Sequence, residues 1–108
     1  MAVRFNPGAN GVGGAGGSLA QPYTDNSGTP GNTTINTPRG RAAIAASAAA
    51  CVVTNSSVLA TSGVFITLKS ADTTLTTARV TAQSAGSFTV TGNAAATASS
   101  PFDFLVVN

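Results

Sequence analysis

Side chains that could act as acids, bases, nucleophiles or metal ligands are scarce in this chain. Its 108 residues include no His, no Glu and no Trp, and the acidic side chains are Asp25, Asp72 and Asp103. General acid–base catalysis needs titratable groups held together at a substrate, and three widely separated aspartates do not provide such a pair by spacing. Cys51 has no His to activate it as a nucleophile, and one Cys without His does not form a zinc site of the usual kind. We therefore predict no enzymatic activity, no metal and no cofactor.

Two other features could carry a function. Gly11, Gly13 and Gly16 match the spacing of a dinucleotide-binding loop, but that loop works between a strand and a helix, and neither is predicted around it. Asp103 lies between Phe102 and Phe104, where it either pairs with Arg79 or Arg41 at a subunit contact or is an ordinary outward residue. We interpret Cys51 as a small buried residue.

Charge is low and dispersed. Five basic and three acidic residues give a formal net charge of +2, and the basic side chains form no dense patch, so we expect no nucleic-acid binding. No targeting segment and no run of 18 apolar residues is present, so we expect no membrane insertion. The simplest interpretation is a soluble protein made in the cytoplasm.

Residues 1–39 differ in composition from the rest of the chain. They hold most of the glycines and four of the five prolines, and the Pro-Gly pairs at 7–8 and 30–31 favour type II turns. We predict an extended Gly/Pro-rich N-terminal arm over 1–39 that lacks fixed structure in an isolated chain. Apolar residues spaced along it suit a segment that becomes ordered across a neighbouring chain; the alternative is a linker or tail. They are Val3, Phe5, Leu19, Tyr23 and Ile35.

Residues 40–108 have the pattern of a small all-β domain. Short runs rich in β-branched and aromatic residues alternate with turn residues, which predicts an antiparallel β-sandwich or jelly-roll-like barrel. The expected strands lie at 41–47, 49–54, 64–69, 74–82, 87–91 and 102–107. The last of them is apolar on both faces, which is typical of a central strand or of one that meets another subunit. The large residues expected to fill the core are Phe65, Phe88, Phe102 and Phe104.

A domain of this size has little core. About 60 residues bury only ~60% of the unfolded surface, and the single Cys51 excludes an internal disulfide. Small domains of this kind usually need a metal, disulfides or oligomerisation. We therefore expect contacts with other chains to contribute to folding.

The C-terminal two thirds of the chain resembles a known module. The run GSFTVTGNAAATA at 86–98 is followed by a short linker and the closing residues 102–108; upstream, residues 40–42, 53–56, 64–68 and 71–75 are also similar. Together they resemble a C-terminal β module of structural proteins from tailed bacteriophages, over roughly 38–108. The resemblance implies a virion context: head decoration (cement) proteins, head fibres, or the tips of tail fibres and spikes.

A short arm on a small domain fits a decoration protein best within that context. The resemblance then implies a homotrimer on the outer surface of the phage head that bridges neighbouring major capsid subunits. Predicted capsid contacts are Arg4, Phe5, Tyr23, Ile35 and Arg39. Predicted oligomer contacts are Arg79, Phe102, Asp103, Phe104 and Leu105. The alternative is a receptor- or glycan-binding tip of a fibre or tailspike, for which exposed aromatic residues in loops would be the sign.

Overall fold

A computed structural model describes residues 21–70 and 72–108 of the chain. This part consists of strands, turns and loops, which confirms the all-β prediction, and it contains no helix long and apolar enough to cross a membrane. In chain order the strands are β1 (Tyr23–Asp25), β2 (Thr33–Thr34), β3 (Arg39–Ile44), β4 (Ala50–Thr54), β5 (Gly63–Leu68), β6 (Ala78–Ser84), β7 (Ser87–Gly92) and β8 (Ser100–Val107).

The strands form two four-stranded sheets that face each other as a sandwich. The front sheet has the order β1-β3-β8-β5 and the back sheet the order β2-β4-β7-β6. β8 runs antiparallel to its neighbours β3 and β5, and β7 runs antiparallel to its neighbours β4 and β6, whereas β1 runs parallel to β3 and β2 parallel to β4. The sheets are therefore mixed, where the sequence predicted an antiparallel arrangement.

The core lies between the two sheets and is filled by inward residues at every second strand position, as a period of two requires. Phe88 and Phe104 meet edge to face with their ring centroids 5.2 Å apart. Phe102 on β8 and Val90 on β7 are fully buried beside them. Burying each such side chain stabilises the fold by about 1.5–3 kcal/mol. β8 is a central strand, which is one of the two positions that its apolar faces predicted.

Residues 21–37, called the strap below, belong to the sandwich. The strap follows the edge of β3, where Asn26 N–H donates to Arg41 O at 2.8 Å, and then crosses to the edge of β4, where Ile35 N–H donates to Thr54 O at 2.9 Å. The Ile35 side chain is 1% exposed and lies in the core cluster. The sequence placed this segment in the arm, with a boundary between 39 and 40; the structure differs because the strap pairs with both sheets and contributes a core residue.

Gly40 allows the strap to approach β3 closely. A Cβ atom at this position would lie 2.8 Å from Thr24 O, 2.9 Å from the Phe104 ring and 3.0 Å from a methyl of Ile35. Real Cβ atoms essentially never come this near, so a side chain at Gly40 would push the strap away from the sheet.

The predicted strand at 74–82 starts later than expected, at Ala78. Its first four residues are held instead by two polar side chains: Asp72 accepts hydrogen bonds from Thr74 N–H and Leu75 N–H, and Asn93 accepts from the N–H groups of the next two residues. Leu75 is thereby turned into the core. Local side chain–backbone hydrogen bonds of this type compete with the sheet ladder, and they prevail here over the β propensity of the threonines.

Candidate functional site

The outward face of the front sheet carries a row of large side chains across all four strands. Cα pairing places Tyr23 of β1 beside Arg39 of β3, Arg39 beside Leu105 of β8, and Leu105 beside Phe65 of β5. With strands about 4.8 Å apart, this front row is about 14 Å wide. Phe65 is 62% exposed and Tyr23 is 42% exposed, so the row presents aromatic surface to the solvent at both ends.

Arg39 is the charged member of the front row. Its guanidinium carbon lies 4.6 Å from the centroid of the Tyr23 ring, a cation–π contact that holds the side chain against the sheet. Arg39 makes no ion pair with any described residue, and its Nε has no hydrogen-bond partner among them although that atom is buried. A buried donor without a hydrogen bond costs free energy. A carboxylate of another molecule that accepted a hydrogen bond from Arg39 Nε would remove this cost and so favour binding.

A second row, next to the first, is ionic. Arg41 donates to both carboxylate oxygens of Asp103, from Nε at 2.6 Å and from Nη2 at 3.3 Å, and Lys69 Nζ lies 3.9 Å from Asp103. The hydrogen bond to Asp103 raises the pKa of the Arg41 guanidinium. Forked Arg–carboxylate pairs have a defined geometry, so Asp103 is oriented by Arg41 of its own chain. Arg79, the other partner that the sequence left open, lies on the back sheet.

Between the two rows the front face has a shallow depression of about 260 Å³. Around it lie Tyr23, Arg39, Phe65, Thr67, Asp103, Phe104 and Leu105. These residues offer aromatic and aliphatic surface, a cation that has no ion-pair partner among the described residues, and a carboxylate already in an ion pair. Side chains of these types are suited to binding through packing and hydrogen bonds. Over residues 21–70 and 72–108, no three His, Cys, Asp or Glu side chains come together as metal ligands.

The outward face of the back sheet has a different character. Thr81 and Thr91 share a hydrogen bond between their hydroxyls at 2.7 Å, and Thr54 and Thr89 also point outward from neighbouring strands. Arg79 is exposed beside a second depression of about 310 Å³. The outer face of the back sheet is richer in hydroxyls than in large apolar side chains, so burying it would gain less from the hydrophobic effect than burying the front face.

The structure places some of the predicted capsid contacts and some of the predicted oligomer contacts on the same face. Tyr23 and Arg39, assigned to a capsid contact, share the front face with Asp103 and Leu105, assigned to an oligomer contact. Ile35, Phe102 and Phe104 are buried in the core, which removes their side chains from any outer surface. Arg79 stands apart on the back sheet, and Arg4 and Phe5 lie outside the described residues.

Phe65 is the front-row residue that the sequence analysis missed. It was counted among the core-filling phenylalanines, which is wrong: the structure exposes most of its ring. The signal was present in the alternation of 64–69, because Val64, Ile66 and Leu68 face the core and the residues between them must face outward.

Cys51 lies beneath the strap, away from the front face. Its thiol donates to Gly31 O at 3.3 Å, and burial raises the pKa of the Cys51 thiol to about 11. The thiol is therefore protonated at neutral pH, and nucleophilic chemistry requires the thiolate. Cys51 thus contributes packing and anchors the strap.

Asp72 is a structural ligand for backbone donors. Its carboxylate accepts from Leu75 N–H at 2.9 Å and from the Thr97 hydroxyl at 2.6 Å. The hydrogen bond from Leu75, followed by that from Thr97, holds the pKa of this carboxyl well below its ordinary value. Asp72 therefore joins the 72–75 segment to the loop before β8.

Comparison with known proteins finds no matching family model, no matching curated protein and no matching solved structure. The resemblance to the phage module therefore rests on the sequence pattern alone.

Proposed function

We propose that this protein is a non-enzymatic structural protein of a phage virion, specifically a decoration protein on the outer surface of the head. Its front face binds the major capsid protein and, together with the arm, bridges neighbouring capsid subunits to strengthen the shell. The observation that carries the binding role is the front row, in which the Arg39 guanidinium lies against the Tyr23 ring without an ion-pair partner among the described residues, and exposed Tyr23 and Phe65 stand at the two ends. The virion context comes from the sequence resemblance, which also implies a homotrimer.

The composition of the front row supports a protein partner. Tyr and Arg are enriched among the residues that dominate binding free energy at protein interfaces, especially where apolar neighbours exclude water. Leu105 and Phe65 supply such neighbours on the adjacent strands. The back sheet, with its hydroxyl-rich outer face, lacks this combination.

The charges of the front face indicate what its partner should carry. Arg41 and Lys69 are near Asp103, and Asp25 accepts from its neighbour Ser27, whereas Arg39 has no carboxylate among the described residues. A capsid surface with an Asp or Glu opposite Arg39 is therefore complementary, and complementary charge adds specificity to the apolar contact.

The test compares two arginines that lie on opposite sheets. Purified heads that lack this protein are titrated with wild type, Arg39→Ala and Arg79→Ala, and bound protein is measured after sedimentation. Loss of an interface residue of this type costs about 2 kcal/mol or more, so Arg39→Ala is expected to weaken binding by about 30-fold. Arg79→Ala should bind as wild type does. Equal affinity of all three proteins, or equal loss in both variants, would overturn the front-face assignment.

A receptor- or glycan-binding role is the second candidate, and one observation favours it. Tyr23 and Phe65 stand on either side of the depression with their rings exposed, and aromatic rings beside polar groups form amphipathic binding surfaces. In the proposed decoration role, Tyr23 and Phe65 contact the capsid protein. Titration with soluble host-surface glycans should then leave the NMR resonances of Phe65 unchanged. Saturable shifts at Phe65 would favour the tip role instead.

A further inference from the structure

β5 is an open edge of the front sheet. Within residues 21–70 and 72–108 it pairs with β8 and with no other strand. Lys69 N–H donates to Pro101 O at 2.8 Å just after the end of β5, which sets the phase of the ladder. Because antiparallel ladders bond at alternate residues, Val64, Ile66 and Leu68 direct their N–H and C=O groups away from β8. Among the described residues, no backbone hydrogen bond joins these three to another segment.

The other edge strands of the sandwich are protected in ways that β5 is not. β1 and β2 have three and two residues. β6 has a bulge between Val80 and Ala82 and carries Arg79. β5 has six residues without Pro or a bulge, and exposed Phe65 lies at its centre. Natural proteins shield long apolar edges of this type or pair them with another strand.

We propose that β5 pairs with β5 of a second copy of this chain, in antiparallel orientation about a two-fold axis at Ile66. In that register Ile66 lies opposite Ile66 of the second copy, and Val64 lies opposite its Leu68. The three outward-directed residues of each copy then exchange six backbone hydrogen bonds. The two front sheets join into one eight-stranded sheet, which leaves no unpaired β5 edge.

The side chains of β5 suit this self-pairing. Phe65 of each copy lies across from Thr67 of the other and diagonal to its Phe65, within reach of aromatic contact. Lys69 lies across from Gly63 of the other copy, so no like charges face each other. Val64, Ile66 and Leu68 are half-buried on the inward side of β5. In the paired sheet they lie beside the same three residues of the other copy. An identical edge is complementary to itself in this orientation, which is what a two-fold interface requires.

The pairing goes beyond the proposed function and does not depend on it. The backbone edge of β5 is separate from Arg39, which lies on β3, two strands away in the sheet. The copy number of the free protein is measured without capsid. It therefore tests the β5 pairing separately from the proposed binding of the front face to the capsid.

The experiment measures mass and amide hydrogen exchange of the full-length protein at two concentrations, one above and one below the association midpoint. At the higher concentration we expect an even number of copies. We also expect the N–H groups of Val64, Ile66 and Leu68 to exchange at least tenfold more slowly there. A monomer or a trimer would overturn the proposal, even with these amides protected, because another segment of the chain would then cover the edge. An assembly in which these amides exchange freely would also overturn it.

Variants keep the test specific to the β5 edge. Phe65→Lys places two cations near each other across the axis and should weaken pairing at least tenfold. An equimolar mixture of Phe65→Lys and Phe65→Glu should restore it. Thr54→Lys adds the same charge at an exposed position of the back sheet and should leave the mass unchanged. Equal weakening by Thr54→Lys, or a mixture that stays dissociated, would contradict pairing through β5.

Discussion

Replacing Ile35 by Ala tests whether the strap is part of the folded domain. Ile35 is 1% exposed and lies in the core cluster between the two sheets, where one of its methyls lies close to Gly40 of β3. If the strap were a free arm, the truncation would remove an exposed side chain and change stability by no more than about 0.5 kcal/mol.

The expected cost follows from the burial. Ile→Ala in a core removes apolar contacts and leaves a cavity, which costs about 2–5 kcal/mol. Ile35→Val should cost about 0.5–1.5 kcal/mol, so the loss should grow with the number of methyl and methylene groups removed. In a domain of this size, 1 kcal/mol shifts the Tm by about 4–8 °C, and Ile35→Ala should therefore lower the Tm by at least about 8 °C.

The assay is urea unfolding followed by far-UV circular dichroism, with thermal unfolding in parallel. Leu59→Ala is the matched control, because Leu59 is 48% exposed and loses a side chain of the same size. We expect Leu59→Ala to remain within about 0.5 kcal/mol of wild type. An Ile35→Ala variant as stable as the Leu59→Ala control would refute the placement of the strap in the core.

Three further predictions concern the segments that hold the sandwich together. Gly40→Ala brings a Cβ to 2.8 Å from Thr24 O and should destabilise by about 1–3 kcal/mol in urea, whereas Gly28→Ala, which meets open space, should stay near wild type; equal stability of the two variants would contradict the close contact. Because the folded-state pKa of Asp72 lies below its ordinary 3.8, its stabilisation is present above about pH 4 and is lost as the pH falls. Asp72→Asn should therefore unfold at a lower temperature than wild type at pH 7, by a margin that shrinks below about pH 4; a constant margin would be the contrary result. A thiol reagent should modify Cys51 at least tenfold more slowly in native protein than in urea, since burial raises its pKa to about 11; equal rates would show an accessible thiol.

The sequence predicted the strands that have a regular alternation of large apolar residues. Phe88 and Val90 of β7 point inward as expected, and so do Phe102 and Phe104 of β8. The inward direction of these side chains follows from the alternation of residue types within each strand. The sequence of a single strand is therefore enough to predict it. For the same reason, the residues on either side of Phe65 were enough to predict that its side chain points outward. They did not indicate that it belongs to the front row.

The strap could not be predicted in this way. β1 and β2 pair over three and two residues, too few for a period to be visible, and both pair with strands further along the chain. Their position depends on tertiary contacts such as the fit of Ile35 beside Gly40. The late start of β6 has the same origin, because Asp72 and Asn93 capture the backbone of 74–77 through contacts of up to 17 residues in sequence separation.

The candidate site depends on both kinds of information. Tyr23 was singled out as a spaced apolar residue of the arm, and Arg39 was named with it as a capsid contact. Asp103 was singled out for its position between two phenylalanines, and Leu105 for the two-faced pattern of the last strand. Only the register of β1, β3, β8 and β5 brings them onto one face, and register is set by the whole sheet rather than by any one segment.

Cryo-electron microscopy of the native virion tests the central claim most directly. The account predicts density for this chain on the outside of the head, with the front face, including Tyr23, Arg39 and Phe65, turned toward the capsid shell. Density confined to the tail tip, or a head-bound protein whose front face points to the solvent, would contradict it.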